Sequence, residues 1–313
     1  MKNVIITGAN SGLGFETAKK IARDHAFRVI LACRNEAKAA RAKADIISAT
    51  GNGQIDTMKL DTSMMKYADF TYDGSQYRAV QILKYRPSNT TNLADNVSDS
   101  KQQINGYIKG TVYYFKWEPL EWIVLDVDRG LVMSKKILDA QPFNGFYISA
   151  NSKAMSADNP DAYASLWKDS TLQKWLNSKE GYADCGFLYN AFNASERGII
   201  HYGAEYEKSA GKLYTSWDYV SVLPDDYVTS QYKSYITPAE NTDYAEAQGK
   251  SRDGSGEGKY YWVRTFTAPS DKTNVYCHDQ TVESSNVLYS SISSTITGVR
   301  PMMTIKLESD YVK

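Results

Sequence analysis

Cysteine and histidine are scarce in this chain of 313 residues, with three of each. Cys33, Cys185 and Cys277 stand too far apart for a disulfide framework or a zinc site. A reduced chain with ordinary thiols is expected, and with it a cytoplasmic location. No run of 18 apolar residues occurs, which excludes a membrane-spanning helix of ordinary composition. Neither charge sign is in surplus, because 36 basic residues face 36 acidic ones. No bulk attraction to nucleic acid or to an anionic membrane follows, and neither is expected as a partner. The N-terminal strand pattern Val4-Ile5-Ile6 has no basic-then-apolar leader. Association with a cell surface is expected only if the first segment is foreign to the rest.

A further absence is positional. Residues 1–63 contain no Tyr and no Trp, whereas all 24 Tyr and all 6 Trp lie beyond them. Charge divides at the same place: 10 basic against 6 acidic residues give +4 before residue 64, and 26 against 30 give −4 after it. A shift this abrupt marks a fusion of two segments of different origin near Ser63-Met64-Met65. The predicted domains are 1–63 and 65–313.

What the first segment does contain is alternating apolar runs and helical patterns. An apolar run at 2–7 is followed by Gly8, Gly12 and Gly14, then by a helical stretch with Ala18, Ile21 and Ala22 on one face. "RVILACR" reads as a second buried strand, 35–50 as an Ala-rich helix, and "GQIDTMKLDTS" as a third strand. Strand, helix, strand, helix, strand is half of a doubly wound, Rossmann-type sheet. Gly8 permits the tight turn, Gly12 lets backbone approach a phosphate, and Gly14 permits close packing of helix on strand. The helix N-terminus then offers unpaired N–H groups and a positive dipole to a pyrophosphate.

"TGANSGLG", "ACRN" and "LDTS" together resemble the N-terminal part of the short-chain dehydrogenase/reductase family. The resemblance implies NADP as cofactor, with Asn10 and Ser11 flanking the phosphates, Arg34 at the 2′-phosphate and Asp61 near the adenine. It covers about a fifth of the chain. In that family a Tyr with Lys four residues on donates the proton to the carbonyl oxygen. No Tyr of this chain has Lys at that spacing, and no "NAG" follows residue 63. The later strands and the nicotinamide half of the site are therefore expected to be missing. That would leave the first strand as an open sheet edge, a possible route to an oligomer.

From Met65 onward the pattern is one of short strands with aromatic punctuation. "DFTYDGSQYRAVQI" reads as a hairpin around Asp73-Gly74, and "EPLEWIVLDVDRGLVMSKKIL" as two strands joined near Asp128-Arg129-Gly130. "DSTLQKWLN" predicts a helix capped by Asp169 or Ser170, and "CGFLYNAFNASERGII" a second helix. "YYWVRTF", "TNVYCHD" and "TGVRPMMTIKL" read as terminal strands, so an α+β, strand-rich domain with two or three helices is expected. "EWIVLDVDRGLVMSKKILDAQPFN", "STLQKWLN", "YWVRTF" and "GVRPMMTI" resemble, in order, a bacterial family of unknown function. Its members are similar to C-type-lectin-like folds related to formylglycine-generating enzymes. The resemblance implies that Gly298 allows close backbone approach and that Arg300 ties down a core carboxylate.

No catalytic constellation stands out in this second segment. Cys185 and Cys277 are not in a catalytic pairing, and His201 and His278 lack a nucleophile elbow. Asp126 and Asp128 alternate along a strand and could share a Ca²⁺, although solvated carboxylates are the commoner case. Of the 28 residues from Ser270 to Thr297, 15 are Ser, Thr, Asn or Tyr, the adaptable chemistry of a paratope. A binding face for a protein or glycan is expected here, with Trp262, Tyr276, His278, Asn286 and Tyr289 as contacts. Two functions are therefore open: a ligand-binding module fused to a truncated nucleotide-binding segment, or an NADP-dependent oxidoreductase.

Overall fold

The computed structural model describes residues 2–33, 35–59, 65–87, 89–90, 95–96, 100–145, 147–148, 153–154, 163–178, 186–209, 211–227, 231–235, 239–252, 260–264, 274–279, 287–291 and 294–306. The chain divides into two compact units, Met1–Met64 and Met65–Lys313.

In the first unit β1 (Lys2–Thr7), α1 (Gly12–Ala22), β2 (Phe27–Cys33), α2 (Glu36–Thr50) and β3 (Ile55–Lys59) follow in the expected order. The three strands are parallel and ordered β1-β2-β3. Alternation decides the faces. Val29, Leu31 and Ile55 meet Ala18, Ala22, Ala39, Ala42 and Ile46 of the helices in one dry core. Burying each of the larger side chains contributes about 1.5–3 kcal/mol. Asn35 caps α2 by accepting the Lys38 N–H at 2.9 Å, and Gly51 ends it at φ 68°. Buried Asn52 donates to the carbonyls of Ala22 (2.9 Å) and Phe27 (3.3 Å), tying the end of α1 to the start of β2. As expected of a half sheet, β1 pairs with β2 alone among the described residues.

The second unit opens with β4 (Met65–Tyr72) and β5 (Ser75–Ile82), joined through Asp73 (φ 48°) and Gly74 (φ 73°). Both central residues sit at positive φ, the signature of a type I′ hairpin turn. β5 also pairs antiparallel with the strand Val112–Lys116. The strands Trp122–Asp126 and Leu131–Ser134 turn at Gly130 (φ 65°) and continue through Pro301–Thr304 to Ser221–Val222. A five-stranded sheet runs Asp139–Ala140, Gly298–Val299, Tyr260–Trp262, Asn274–Asp279, Val287–Ser291. Small sheets and short helices surround two apolar cores, one built on Trp167, Trp175 and Trp262, the other on Met133, Tyr232 and Tyr261.

Several expectations for this unit are corrected. Five α-helices, not two or three, occur among its described residues, together with a 3-10 turn at Lys233–Tyr235. The single helix expected over 185–200 is two, Phe187–Ala191 and Ala194–Ile199. Phe192 is extended (φ −130°, ψ 137°) and Asn193 starts the next helix through a capping box with Glu196. Ser170, not Asp169, caps Thr171–Asn177. Asp126 and Asp128 do not alternate along one strand: the strand ends at Asp126, Asp128 lies in the turn, and Asp126 accepts from the Arg129 N–H and the Tyr232 hydroxyl, each at 3.0 Å.

Gly298 makes the expected close approach, to side chains. A Cβ there would lie 2.7 Å from Ile137 Cγ2 and 2.9 Å from Lys250 Cε. The Arg300 guanidinium, by contrast, donates to the Ser134 (2.9 Å) and Lys135 (3.3 Å) carbonyls and lies over the Tyr261 ring. Both partners are backbone oxygens at the end of a neighbouring strand.

Candidate functional site

The turn between β1 and α1 carries the geometry that its glycines suggested. Gly8 (φ +64°) and Gly12 (φ +56°) both adopt the left-handed conformation. The Gly8 N–H donates to the Ala32 carbonyl at 3.0 Å, which fastens the turn to the end of β2. A Cβ on Gly14 would stand 2.5 Å from the Gly8 carbonyl oxygen, so α1 lies against its own preceding turn, backbone on backbone. Ser11 occupies the N-cap with extended backbone, and its side chain makes no capping hydrogen bond. No acidic residue stands in the first turn of α1. The positive end of this 11-residue helix is therefore without an internal counter-charge. Beneath the turn, burial pushes the Cys33 thiol up in pKa, while the N–H groups of Ala9 and Asn10 pull it down.

Beside this turn lies an open cavity of about 260 Å³, lined by Asn10, Ser11, Phe15, Lys38, Arg41, Ala42 and Asp45. Asn10 and Ser11 come from the turn, Phe15 from α1, and the other four from α2. Residues 38, 41, 42 and 45 repeat at helical spacing and so form one face of α2. Two cations and one carboxylate give the lining a net positive charge. Gly8, Asn10, Ser11, Gly12 and Gly14, the residues expected at the phosphates, all belong to this turn and the start of α1. Lys38 and Arg41 are not among the residues expected from the sequence, although their spacing on α2 is a usable signal. Arg34 and Asp61 lie outside the described residues.

Of the contacts expected in the second unit, the structure describes the side chain of Trp262 alone. Trp262 is a correction: it is fully buried, its Nε1–H donates to the Gln141 carbonyl at 2.7 Å, and its ring packs 5.6 Å from that of Phe143. It is core and cannot meet a ligand at the surface. The backbone register pairs Tyr276 with Tyr289 and His278 with Val287, while Trp262 pairs with Cys277, one residue out of phase. Asn286 lies outside the described residues. Among the described residues, one exposed aromatic group lies elsewhere, beside the strand Lys212–Asp218. The Tyr202 ring packs at a tilt against those of Trp217 (5.7 Å) and Tyr219 (4.6 Å), and Trp217 is 55% exposed.

A buried carboxylate cluster lies beneath that same hairpin, Gly203–Ser209 with Lys212–Asp218. Glu207 accepts the Trp167 backbone N–H at 2.5 Å, Glu205 pairs with Arg264, and Asp218 accepts from Trp167 Nε1, Ser216 Oγ and Gln173 Nε2. Burial pushes the Glu207 carboxyl up to about 8. These groups are consumed by one another, and they fasten the hairpin to the core. Among the described residues no group of three or more His, Cys, Asp or Glu could hold a metal ion.

Comparison with known proteins points to the same end of the chain. Residues 2–84 match the short chain dehydrogenase family. Over 65 residues the chain is 46% identical to the human (Homo sapiens) WW domain-containing oxidoreductase, covering 21% of this chain and 16% of that protein. It is 48% identical to human retinol dehydrogenase 11 over 65 residues, covering 21% of this chain and 20% of that one. Among solved structures, menthone neomenthol reductase from Mentha piperita is 34% identical over 19% of this chain and 21% of its own, with a TM-score of 0.18. The chain thus spans about a fifth or less of the length of these curated relatives. The family match runs past the first unit into β4 and β5, yet that hairpin pairs antiparallel with Val112–Lys116 and does not extend the parallel sheet. No described helix is long and apolar enough to cross a membrane.

Proposed function

We propose that the first unit is a cofactor unit of NADP-dependent oxidoreductase type, binding NADPH by its adenosine-phosphate end. The observation that carries this reading is the cavity beside the glycine turn, with Lys38 and Arg41 facing Asn10 and Ser11. The turn fits a pyrophosphate: positive-φ glycines, a helix start without acidic residues, and a Gly14 position that no side chain can fill. Lys38 and Arg41, joined by Arg34 on the strength of the family resemblance, would hold the 2′-phosphate. A bound NADPH would supply hydride. The chain's own part is to bind and orient the adenosine half, because the family's Tyr and Lys pair is missing from the sequence.

Fluorescence titration of the full chain with NADPH and NADH tests this reading. Saturable binding that favours NADPH is expected, and the double variant Lys38→Ala/Arg41→Ala should raise the NADPH dissociation constant about tenfold, equivalent to ~1.4 kcal/mol. Equal affinity for the two nucleotides, or none for either, would refute it.

For the second unit the exposed rings of Tyr202 and Trp217 support a separate binding role, for a glycan or protein ligand. Aromatic faces of this kind give rigid contact area at low entropic cost. Quenching of tryptophan emission by a β-glucan oligosaccharide, lost in Trp217→Ala, is the expected result for a glycan. No quenching, or quenching that survives Trp217→Ala, removes the glycan reading.

A further inference from the structure

The open edge of β1 has a definite hydrogen-bonding phase. The Lys2 N–H donates to the Ala26 carbonyl and the Gly8 N–H to the Ala32 carbonyl, so the even-numbered residues of this segment turn their backbone groups toward β2. In an extended strand the N–H and C=O of one residue point the same way, and direction alternates along the chain. Asn3, Ile5 and Thr7 therefore direct their backbone groups at the open edge. The same three residues are the exposed ones on the face without helices, and Ile5 is 57% exposed. The segment carries none of the usual protections of an edge strand: no proline, no bulge, and a single charge at Lys2.

We propose that the chain dimerises through β1, which pairs antiparallel with β1 of a second copy about a two-fold axis at Ile5. The phase selects this register. Two antiparallel strands exchange both N–H···O bonds only where two outward-directed residues face each other. Centring on Ile5 sets Ile5 opposite Ile5 of the second copy and Asn3 opposite its Thr7, which satisfies every outward residue of β1. A register shifted by two residues leaves Thr7 or Asn3, according to its direction, without an opposite within β1. A shift of one would face outward residues with inward ones.

The side chains agree with the same register. Directly opposed residues point to the same side of a sheet. Ile5 thus covers Ile5 on the open face, and Val4 meets Ile6 on the helix-covered face. Lys2 falls opposite Gly8, so no charge meets a like charge. An axis perpendicular to the sheet keeps all four copies of α1 and α2 on one side. The interface is isologous, so pairing through β1 closes at two copies, and the outer strands of the joined sheet are the two copies of β3.

The phase also supplies a selective probe. Ile5 spends its N–H on the open edge, so Ile5→Pro removes a bond to the second copy and none to β2; proline is tolerated at such edge positions. Sedimentation velocity on the full chain, over about 1–100 µM, is expected to show a dimer. Ile5→Pro, and independently Ile5→Lys, are expected to raise the dissociation constant at least about a hundredfold with an unchanged far-ultraviolet circular dichroism spectrum. Ile5→Val is expected to remain dimeric. A monomeric wild type, a dimer that survives both Ile5→Pro and Ile5→Lys, or association beyond two copies would overturn the proposal.

Discussion

A methyl group has no place at Gly14, because it would press on the Gly8 carbonyl at 2.5 Å. Both contacting parts are backbone, so neither can swing aside as the end of a flexible side chain could. Gly14→Ala is therefore expected to push α1 away from the turn at a cost of about 1–3 kcal/mol. The measurements are thermal unfolding of the full chain and the NADPH titration, which should lose affinity along with stability. Gly8 and Gly12 differ in kind: space is open around both, and it is their positive φ that requires glycine. All three glycines were readable in the sequence because each answers to local backbone geometry. Trp262 shows the opposite case. Its place in a run of Tyr and Trp suggested a binding face, yet the ring is wholly buried and its N–H spent on Gln141. Aromatic composition cannot tell an anchor for a ligand from an anchor for the core.

At the scale of elements, the hairpin Gly203–Ser209/Lys212–Asp218 depends on acids held where water does not reach. Glu207 lies against Trp167 with its carboxyl pushed up to about 8, from an ordinary value near 4.5. The folded state therefore keeps a proton that the unfolded chain releases once pH passes the ordinary value. Stability from this residue is greatest in acid. It falls as pH rises through that window up to about 8, and is level above it. Glu207→Gln keeps the acceptor for the Trp167 N–H and removes the ionisation. Urea midpoints for the variant are expected to vary less between pH 5 and 8 than those of the wild type, with the larger gain at the alkaline end. A wild-type midpoint that climbs over this range more steeply than that of the variant would contradict the assignment. Neither the hairpin nor its clamp was foreseen, because Trp167, Glu207 and Asp218 come together only in three dimensions. In the first unit, by contrast, every strand and helix was legible, since apolar period, cap and glycine all agree from β1 to β3.

At the scale of the whole molecule, two units with different chemistry share one chain. The first, Met1–Met64, carries the glycine turn and the cavity beside it. The second, Met65–Lys313, carries the aromatic cores and the exposed Tyr202–Trp217 pair. The family match reaches residue 84, yet the parallel sheet stops at β3, and the next two strands pair antiparallel. That change of direction leaves β1 as an edge where a doubly wound sheet would continue. The expected dimer follows from this edge: among the described residues no second strand meets the backbone groups that β1 directs away from β2.

The sequence by itself determined the half sheet and the glycine turn, because each rests on neighbours within a few residues: apolar periodicity and glycines at positive φ. Tertiary structure alone decided that Lys38 and Arg41 face Asn10 and Ser11, that Trp262 is core, and that Arg300 is held by carbonyls. Those outcomes depend on which distant segments pack together, and a one-dimensional pattern carries no distance between them.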